Sequence, residues 1–244
     1  MIRVILFGAL GKMGHFVSDV LDGQSDITIV AGVEHSHHSS IGKRLGEFPI
    51  LADDEDLPDA DVWIDFSIAG PALDHARHAA KLSKPLIIAA TGFDDDGNRE
   101  LQQLASQCPI LLAPNLSSGI GVMDYLISIA ARLLGDDFDT AIFEMHHTAK
   151  RDAPSGTARK LADTLIEHGK DPDVVSVRAG HAIGEHTVHF VGEDEELTIN
   201  HRAWSRRAFS GTVPRAVRFI VGRDPALYTI RDLVSSLLDK KDSS

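Results

Sequence analysis

Short apolar runs alternate with amphipathic stretches through the first half of the chain. Ile2–Phe7 is a compact run of β type. Gly11–Leu21 follows, with Met13, Phe16, Val17, Val20 and Leu21 at helical spacing. Further apolar runs at Ile27–Val33, Val62–Phe66, Pro85–Ala90 and Ile110–Ala113 read as the second to fifth strands. Helical patterns around Pro71–Leu82 and Asn98–Ser106 separate the later ones. Near-continuous apolar strands alternating with helices belong to a parallel sheet covered on both faces. The pattern therefore predicts an α/β chain with an N-terminal Rossmann-like, doubly wound parallel sheet.

The pattern changes after Asn115. Gly119–Leu134 reads as a long helix, Asp139–His147 as a strand and Pro154–His168 as a helix. Val174–Val177, Thr187–Val191 and Leu197–Ala203 alternate polar with apolar residues, as half-exposed antiparallel strands do. Thr229–Leu238 returns to helix. This predicts a smaller α+β domain with an open mixed sheet. Residues 1–117 and 212–244 would form the dinucleotide-binding domain, and residues 118–211 a substrate-binding and oligomerisation domain. No internal repeat or low-complexity segment interrupts the chain.

Composition narrows the partners. A formal net charge of −12 would repel a phosphate backbone, so no nucleic-acid partner is expected. Cys108 is the only cysteine, which rules out an internal disulfide and fits a reducing compartment. The apolar run after Met1 stops at Gly8, too soon for a signal peptide. No apolar stretch approaches a membrane span, so a cytoplasmic protein with no membrane partner is expected.

Gly8-Ala9-Leu10-Gly11-Lys12-Met13-Gly14 lies between the first strand and the first helix. Glycines there allow a tight turn and close approach of backbone N–H groups to a pyrophosphate, which the helix N-terminus also attracts. The spacing is GxxGxxG, not the usual GxGxxG, so the loop alone also fits a plain strand–helix turn. Glu34 ends the second strand about 20 residues further on, where a carboxylate accepts the adenine ribose hydroxyls. That carboxylate favours NADH over NADPH. The neighbours His35, His37 and His38 offer only weak pairing to a 2′-phosphate when protonated, which leaves dual use open. Ala89-Ala90-Thr91 and Ala113-Pro114-Asn115-Leu116 end the fourth and fifth strands, at the edge where such sheets bind ligands.

The most unusual stretch is Glu144-Met-His146-His147-Thr-Ala-Lys150-Arg-Asp-Ala-Pro154-Ser155-Gly156-Thr157. His146 and His147 are strand neighbours and point to opposite faces. Pro154 suits the first turn of the following helix, whose backbone N–H groups at Ser155, Gly156 and Thr157 would receive a carboxylate. A cation, two imidazoles and an anion cradle fit hydride addition to a C=C–C=N system, whose carbanion equivalent needs an acid such as Lys150 or His146. The same residues also fit structural histidines, half of a metal site or a simple capped helix start. No metal is expected, because no cysteine or spaced ligand set stands nearby.

Together these motifs resemble the 4-hydroxy-tetrahydrodipicolinate reductase (dihydrodipicolinate reductase) family of the diaminopimelate–lysine pathway, along nearly the whole chain. The resemblance rests on the Gly8–Gly14 loop, Ala90-Thr-Gly-Phe93, Ala113-Pro-Asn115, Glu144-Met-His-His147 with Lys150, Asp152-Ala-Pro-Ser-Gly-Thr157, and Arg178-Ala-Gly180 leading to Gly184-Glu-His186. It implies an NAD(P)H-dependent oxidoreductase and a homotetramer formed through the second domain's sheet. By the same resemblance His146 is a proton donor/acceptor and Lys150 a proton donor. His147, Gly156, Thr157, Thr91 and Ser155 would bind the carboxylates of a small dicarboxylate substrate. Gly8–Met13, Glu34, Ala89–Thr91 and Ala113–Leu116 would line the cofactor, with Arg206 and Phe209 reaching toward it. Three departures stand out. Thr148-Ala149 replaces a basic pair, His35 replaces a basic residue after the ribose-binding acid, and the Lys170–Val177 region is short. Another small amino-acid dehydrogenase, such as one for aspartate or diaminopimelate, and a nucleotide-sensing regulator are the competing readings.

Overall fold

The computed structural model describes residues 1–53 and 56–239. The first part of the chain runs β1 (Ile2–Phe7), α1 (Lys12–Asp22), β2 (Ile27–Glu34), β3 (Arg44–Leu45), β4 (Phe48–Ala52), β5 (Val62–Asp65), α2 (Ala69–Lys81), β6 (Leu86–Ile88), α3 (Asp95–Leu104) and β7 (Ile110–Leu112). Next come α4 (Ser118–Leu134), β8 (Asp139–His146), α5 (Gly156–Ile166), β9 (Asp173–Arg178), β10 (Glu185–Val191) and β11 (Glu196–Arg202). The last elements are α6 (Val213–Ile220), β12 (Leu227–Tyr228) and α7 (Ile230–Asp239). The chain forms two compact units. One holds Met1–Leu116 and Phe209–Leu233; the other holds Ser117–Ala208 and residues 234–239. The sequence reading assigned residues 212–244 whole to the first unit. In the structure the end of α7 groups with the second, and residues 240–244 lie outside the described residues.

The first unit's sheet has the order β12-β7-β6-β5-β1-β2-β4-β3. All its neighbours run parallel except the β3–β4 pair. The chain starts in the middle, moves outward to β2 and β4, then returns to β5 on the other side of β1. That reversal is the topological switch point of a doubly wound sheet. Alternation along β1 explains its unbroken apolar run. Val4 and Leu6 join the cluster containing Val17, Leu21, Val213 and Val217, while Ile5 and Phe7 join Ala72, Ala76 and Leu101. Both faces are buried from Val4 to Phe7, so the strand's polar residue, Arg3, stands at its half-buried start, paired with Asp59. The pattern missed β3, β4, α6 and β12. Pro49 sits inside β4 and lacks an N–H, which argues against a strand away from the sheet edge. Helix α6 has only 8 residues and a proline in its first turn.

The second unit's sheet has the order β11-β10-β8-β9. β10 is antiparallel to β8 and β11, as expected, but β9 runs parallel to β8. The reason is the intervening α5, which carries the chain back to the end where β8 began. Ile120, Met123 and Ile127 of α4 and Leu161 and Leu165 of α5 cover Ile142, Val188 and Phe190 of the sheet. Helix α4 with the 3-10 turn after it, Ser118–Asp137, meets the length and apolarity of a membrane span, with 20 residues and a mean hydropathy of 1.2. The sequence reading saw no such stretch. The helix's buried stripe packs in this core, and its buried Asp124 accepts a hydrogen bond from Thr164 Oγ1 at 2.6 Å. That makes it a core helix here.

Phe190 has no solvent exposure. Phe190→Ala is expected to cost about 3–5 kcal/mol, the usual range for deleting a buried phenyl ring. Denaturant titration followed by circular dichroism reads this; a loss below about 1 kcal/mol would show that the site collapses around the cavity.

Candidate active site

β1 ends at Phe7 and the backbone turns through Gly8 at φ +71°. A Cβ at Gly8 would lie 3.0 Å from the Phe66 carbonyl, and one at Gly14 would lie 2.3 Å from the Gly8 carbonyl oxygen. These two glycines are therefore demanded by close packing. Gly11 is exposed and begins α1 without any side-chain cap. Glu34, at the end of β2, accepts the Leu10 N–H on Oε1 at 2.6 Å and so braces the loop from the adjacent strand. An uncapped helix start beside the switch point, with a carboxylate at the next strand end, fits the pyrophosphate and ribose of a dinucleotide.

The other expected residues of this unit share the carboxyl edge of the sheet. Lys12, Thr91 and Pro114 are exposed, and Leu10, Met13, Ala89 and Asn115 are half-buried. Ala9, Ala90, Ala113 and Leu116 are buried, so their side chains serve packing. One brace escaped the sequence reading. Asp65, fully buried at the end of β5, accepts the Ser67 N–H at 2.7 Å and hydroxyl at 2.5 Å. Its other oxygen lies 2.6 Å from His75 Nδ1. This holds the Phe66–Ser67 backbone where it meets Gly8.

In the second unit, alternate residues of β8 share the helix-covered face. Thr140, Ile142, Glu144 and His146 are all buried on it, so an apolar face turns polar at its last two positions. Register extends this across the sheet. Glu144 stands opposite Ser176 on β9 and His186 on β10, His186 opposite His201 on β11, and His146 opposite Arg178. Glu144 is fully buried. Its Oε1 receives Arg178 Nη2 at 2.9 Å and the Ser155 N–H at 3.3 Å, and its Oε2 contacts His146 Nδ1. Burial pushes the Glu144 carboxyl up, but Arg178, Ser176 and His146 outweigh it and hold the group below the usual carboxylate range. Burial pushes His146 down; Glu144 opposes this, Lys150 and Arg178 reinforce it, and the net is lowered. His186 packs edge-on against His146 with ring centroids 5.2 Å apart and is pushed down to about 3, mainly by burial.

Ser155 is the N-cap of α5. Its Oγ accepts the Ala158 N–H at 3.1 Å and lies 3.2 Å from His186 Nε2. Pro154 therefore precedes the cap, after a cis bond to Ala153, and does not enter the first turn as expected. The extended backbone of Ser155 delays the helix to Gly156. Both Ser155 groups have internal partners, so it lies beneath the helix start, while Gly156 is exposed and Thr157 half-buried. Lys150 Nζ pairs with Asp152 Oδ1 at 2.9 Å, and its N–H closes a turn onto the His147 carbonyl at 3.1 Å. Arg178 also donates to the Asp152 carbonyl, tying this loop to β9. His147 is half-buried just past the strand end; Arg206 is exposed and Phe209 half-buried. Sequence reading gave no role to Glu144, Arg178 or His186. Glu144, His146 and His186 each bring a possible ligand atom within 4.8 Å of the others. The two strands assemble this set from distant sequence, which is why spacing alone did not show it. Arg178 and the Ser155 hydroxyl already partner two of its members.

A doubly wound unit with an open helix start, and a mixed-sheet unit with a buried histidine–carboxylate cluster, are the parts of a two-unit dinucleotide oxidoreductase. The family described as "Dihydrodipicolinate reductase, N-terminus" matches residues 2–116, and "Dihydrodipicolinate reductase, C-terminus" matches residues 119–234. The chain is 34% identical to the 4-hydroxy-tetrahydrodipicolinate reductase of Syntrophus aciditrophicus (strain SB), covering 96% of this chain and 98% of that one. It is 35% identical to the enzyme of the same name from Aquifex aeolicus (strain VF5), with the same coverage. The dipicolinate-bound dihydrodipicolinate reductase from Paenisporosarcina sp. TG-14 matches with a TM-score of 0.79 and 25% identity, over 94% of this chain and 97% of that one. Aspartate dehydrogenase from Thermotoga maritima shares the fold, with a TM-score of 0.58 and 12% identity over 91% of this chain and 98% of that one. The chain belongs to the dihydrodipicolinate reductase family and is an oxidoreductase.

The buried imidazole of His186 has a stability consequence. Its folded value, about 3, lies below its ordinary 6.5. It therefore costs nothing above that ordinary value and destabilises the fold progressively as pH falls from 6.5 toward 3. The loss is expected to reach a few kcal/mol, and His186→Gln should flatten that part of the profile. Equal slopes for parent and variant in chemical denaturation at stepped pH would remove His186 as the cause.

Proposed function

We propose that this protein reduces 4-hydroxy-tetrahydrodipicolinate to tetrahydrodipicolinate, with loss of water, in diaminopimelate–lysine biosynthesis. The observation that carries the reading is the end of β8. There His146 and Lys150 stand beside the start of α5, in a chain that both halves of the family cover. Bound NADH or NADPH supplies the hydride. Lys150 Nζ, held by Asp152, donates the proton that the resulting carbanion equivalent needs. His146 accepts or donates a proton alongside it. His147 and the backbone at Gly156 and Thr157 receive the substrate's carboxylates. Ser155 supports that cradle from within.

The cofactor lies along Gly8–Met13, with Ala89–Thr91 and Ala113–Leu116 beside it. Glu34 takes the ribose hydroxyls and favours NADH, since a carboxylate repels a 2′-phosphate. A cytoplasmic homotetramer is the assembly we favour. The sheet face turned away from α4 and α5 carries Phe143, Met145, Val175 and Val177, with no helix of the described residues in the core cluster on that side, which supports pairing through it.

A coupled assay tests the activity: pyruvate, aspartate semialdehyde and the upstream synthase are supplied, and NADH and NADPH oxidation are followed separately. Oxidation of neither would overturn the reading. In the same assay Lys150→Met is expected to lose about 10²–10⁴-fold in kcat with NADH binding unchanged; normal turnover would remove the lysine's role. Glu34→Ala is expected to weaken NADH about tenfold and NADPH less. Equal losses for the two would withdraw the ribose assignment.

A further inference from the structure

We infer that Glu144 is a positioning residue. It fixes His146 in the Nδ1–H tautomer with Nε2 as the working atom, and it locks that imidazole to the start of α5 through one shared carboxylate. The inference rests on the role proposed above for His146.

Glu144 lies two residues before His146 on the same buried face. Glu144 Oε2 lies against Nδ1 without the alignment of a formed hydrogen bond, and among the described residues neither atom has another hydrogen-bond partner; a carboxylate only accepts, so the contact is attractive only with the proton on Nδ1. Nε2 is then the basic atom of the neutral ring and the donor of the protonated one. It faces the place where a Gly184 side chain would begin; a Cβ there would lie 3.1 Å away. The absence of a side chain at 184 therefore keeps Nε2 uncovered.

The other oxygen of Glu144 makes this more than a structural ion pair. It receives the Ser155 N–H, and Ser155 is the residue that caps α5. The proton-handling ring and the proposed carboxylate cradle are thus set by the same rigid group. Arg178, from β9, keeps that group ionised by pairing with it at 2.9 Å. The charged and titratable groups facing the pair are Arg178 on β9, His186 on β10, and Lys150 and Asp152 on the loop after β8. Glu144 pulls the His146 imidazole toward the protonated form, while Lys150 and Arg178 push it the other way.

The test is Glu144→Gln, which keeps shape and burial but removes the charge and makes the tautomer a free choice. The variant should bind NADH as the parent does. Its kcat should fall about 10²-fold, its KM should stay within a few-fold, and the acid limb of its kcat profile should move to lower pH. Nitrogen-15 shifts of the imidazole, assigned by comparison with His146→Gln, should report Nδ1–H in the parent and a mixture in the variant. Unchanged kcat, a change in KM alone, or an unchanged tautomer would overturn the inference. If the variant does not fold, the parent spectrum decides: Nδ1 without a proton at pH 7 contradicts the assignment, and Nδ1–H supports it. Failure of the proposed reduction would appear separately, as no turnover by the parent.

Discussion

A fully buried carboxylate must be surrounded by donors, because desolvation alone would otherwise expel its charge. Glu144 imposes that condition on the second unit. Its partners come from β9, from the strand end it shares with His146, and from the first residue before α5. No partner is close to another in sequence except His146. The β8–α5–β9 crossover is what gathers them, since only a parallel β9 brings Arg178 opposite His146. Removing Arg178 would take away the charged donor to Glu144, whereas a guanidinium without Glu144 would keep its bonds to the Asp152 and Val177 carbonyls. The carboxylate is thus the member that most needs the others, and the chemistry proposed for His146 depends on it.

The first unit meets a different constraint, that of space. With both faces of β1 covered, the loop after Phe7 has one narrow route between β5 and α1. Gly8 and Gly14 exist because a Cβ at either would meet backbone, not a movable side chain. Asp65 and Glu34 hold that route from the two adjacent strands, one through Ser67 and one through Leu10. Packing thus leaves the α1 N-terminus open, and an open helix start is an anion site without further adaptation.

The elements were legible where one period ran unbroken. The strands buried on both faces and the long amphipathic helices were found to within a few residues. The failures have specific causes. Pro49 disguised β4, and the short α6 offered too few turns to show a period. The direction of β9 is a property of the crossover, and the alternation of its residues is the same either way. Within the site, adjacency drew attention to His146-His147, while the informative pair was Glu144 and His146, two residues apart on one face. The same period-2 reading puts His186 on the face of Val188 and Phe190. What no spacing could give is that Glu144 and His186 are opposite each other, because the 41 residues between them fold into a helix and another strand before they meet.

The opposed pulls on His146 bear on how the two candidate acids divide the work. Burial and the nearby cations favour the neutral ring, while Glu144 favours the charged one and only partly compensates. The ring therefore rests neutral near pH 7, with Nδ1–H on the carboxylate and a lone pair on Nε2. A resting base takes up a proton more readily than it delivers one. Lys150, on the loop rather than in the core, keeps its ion pair with the half-exposed Asp152. In the reaction proposed above, the lysine is then assigned the first donation and the imidazole the role of restoring its proton. Fixing the imidazole by a buried carboxylate is what such an order requires, since a ring free to turn would offer Nε2 in only part of its orientations.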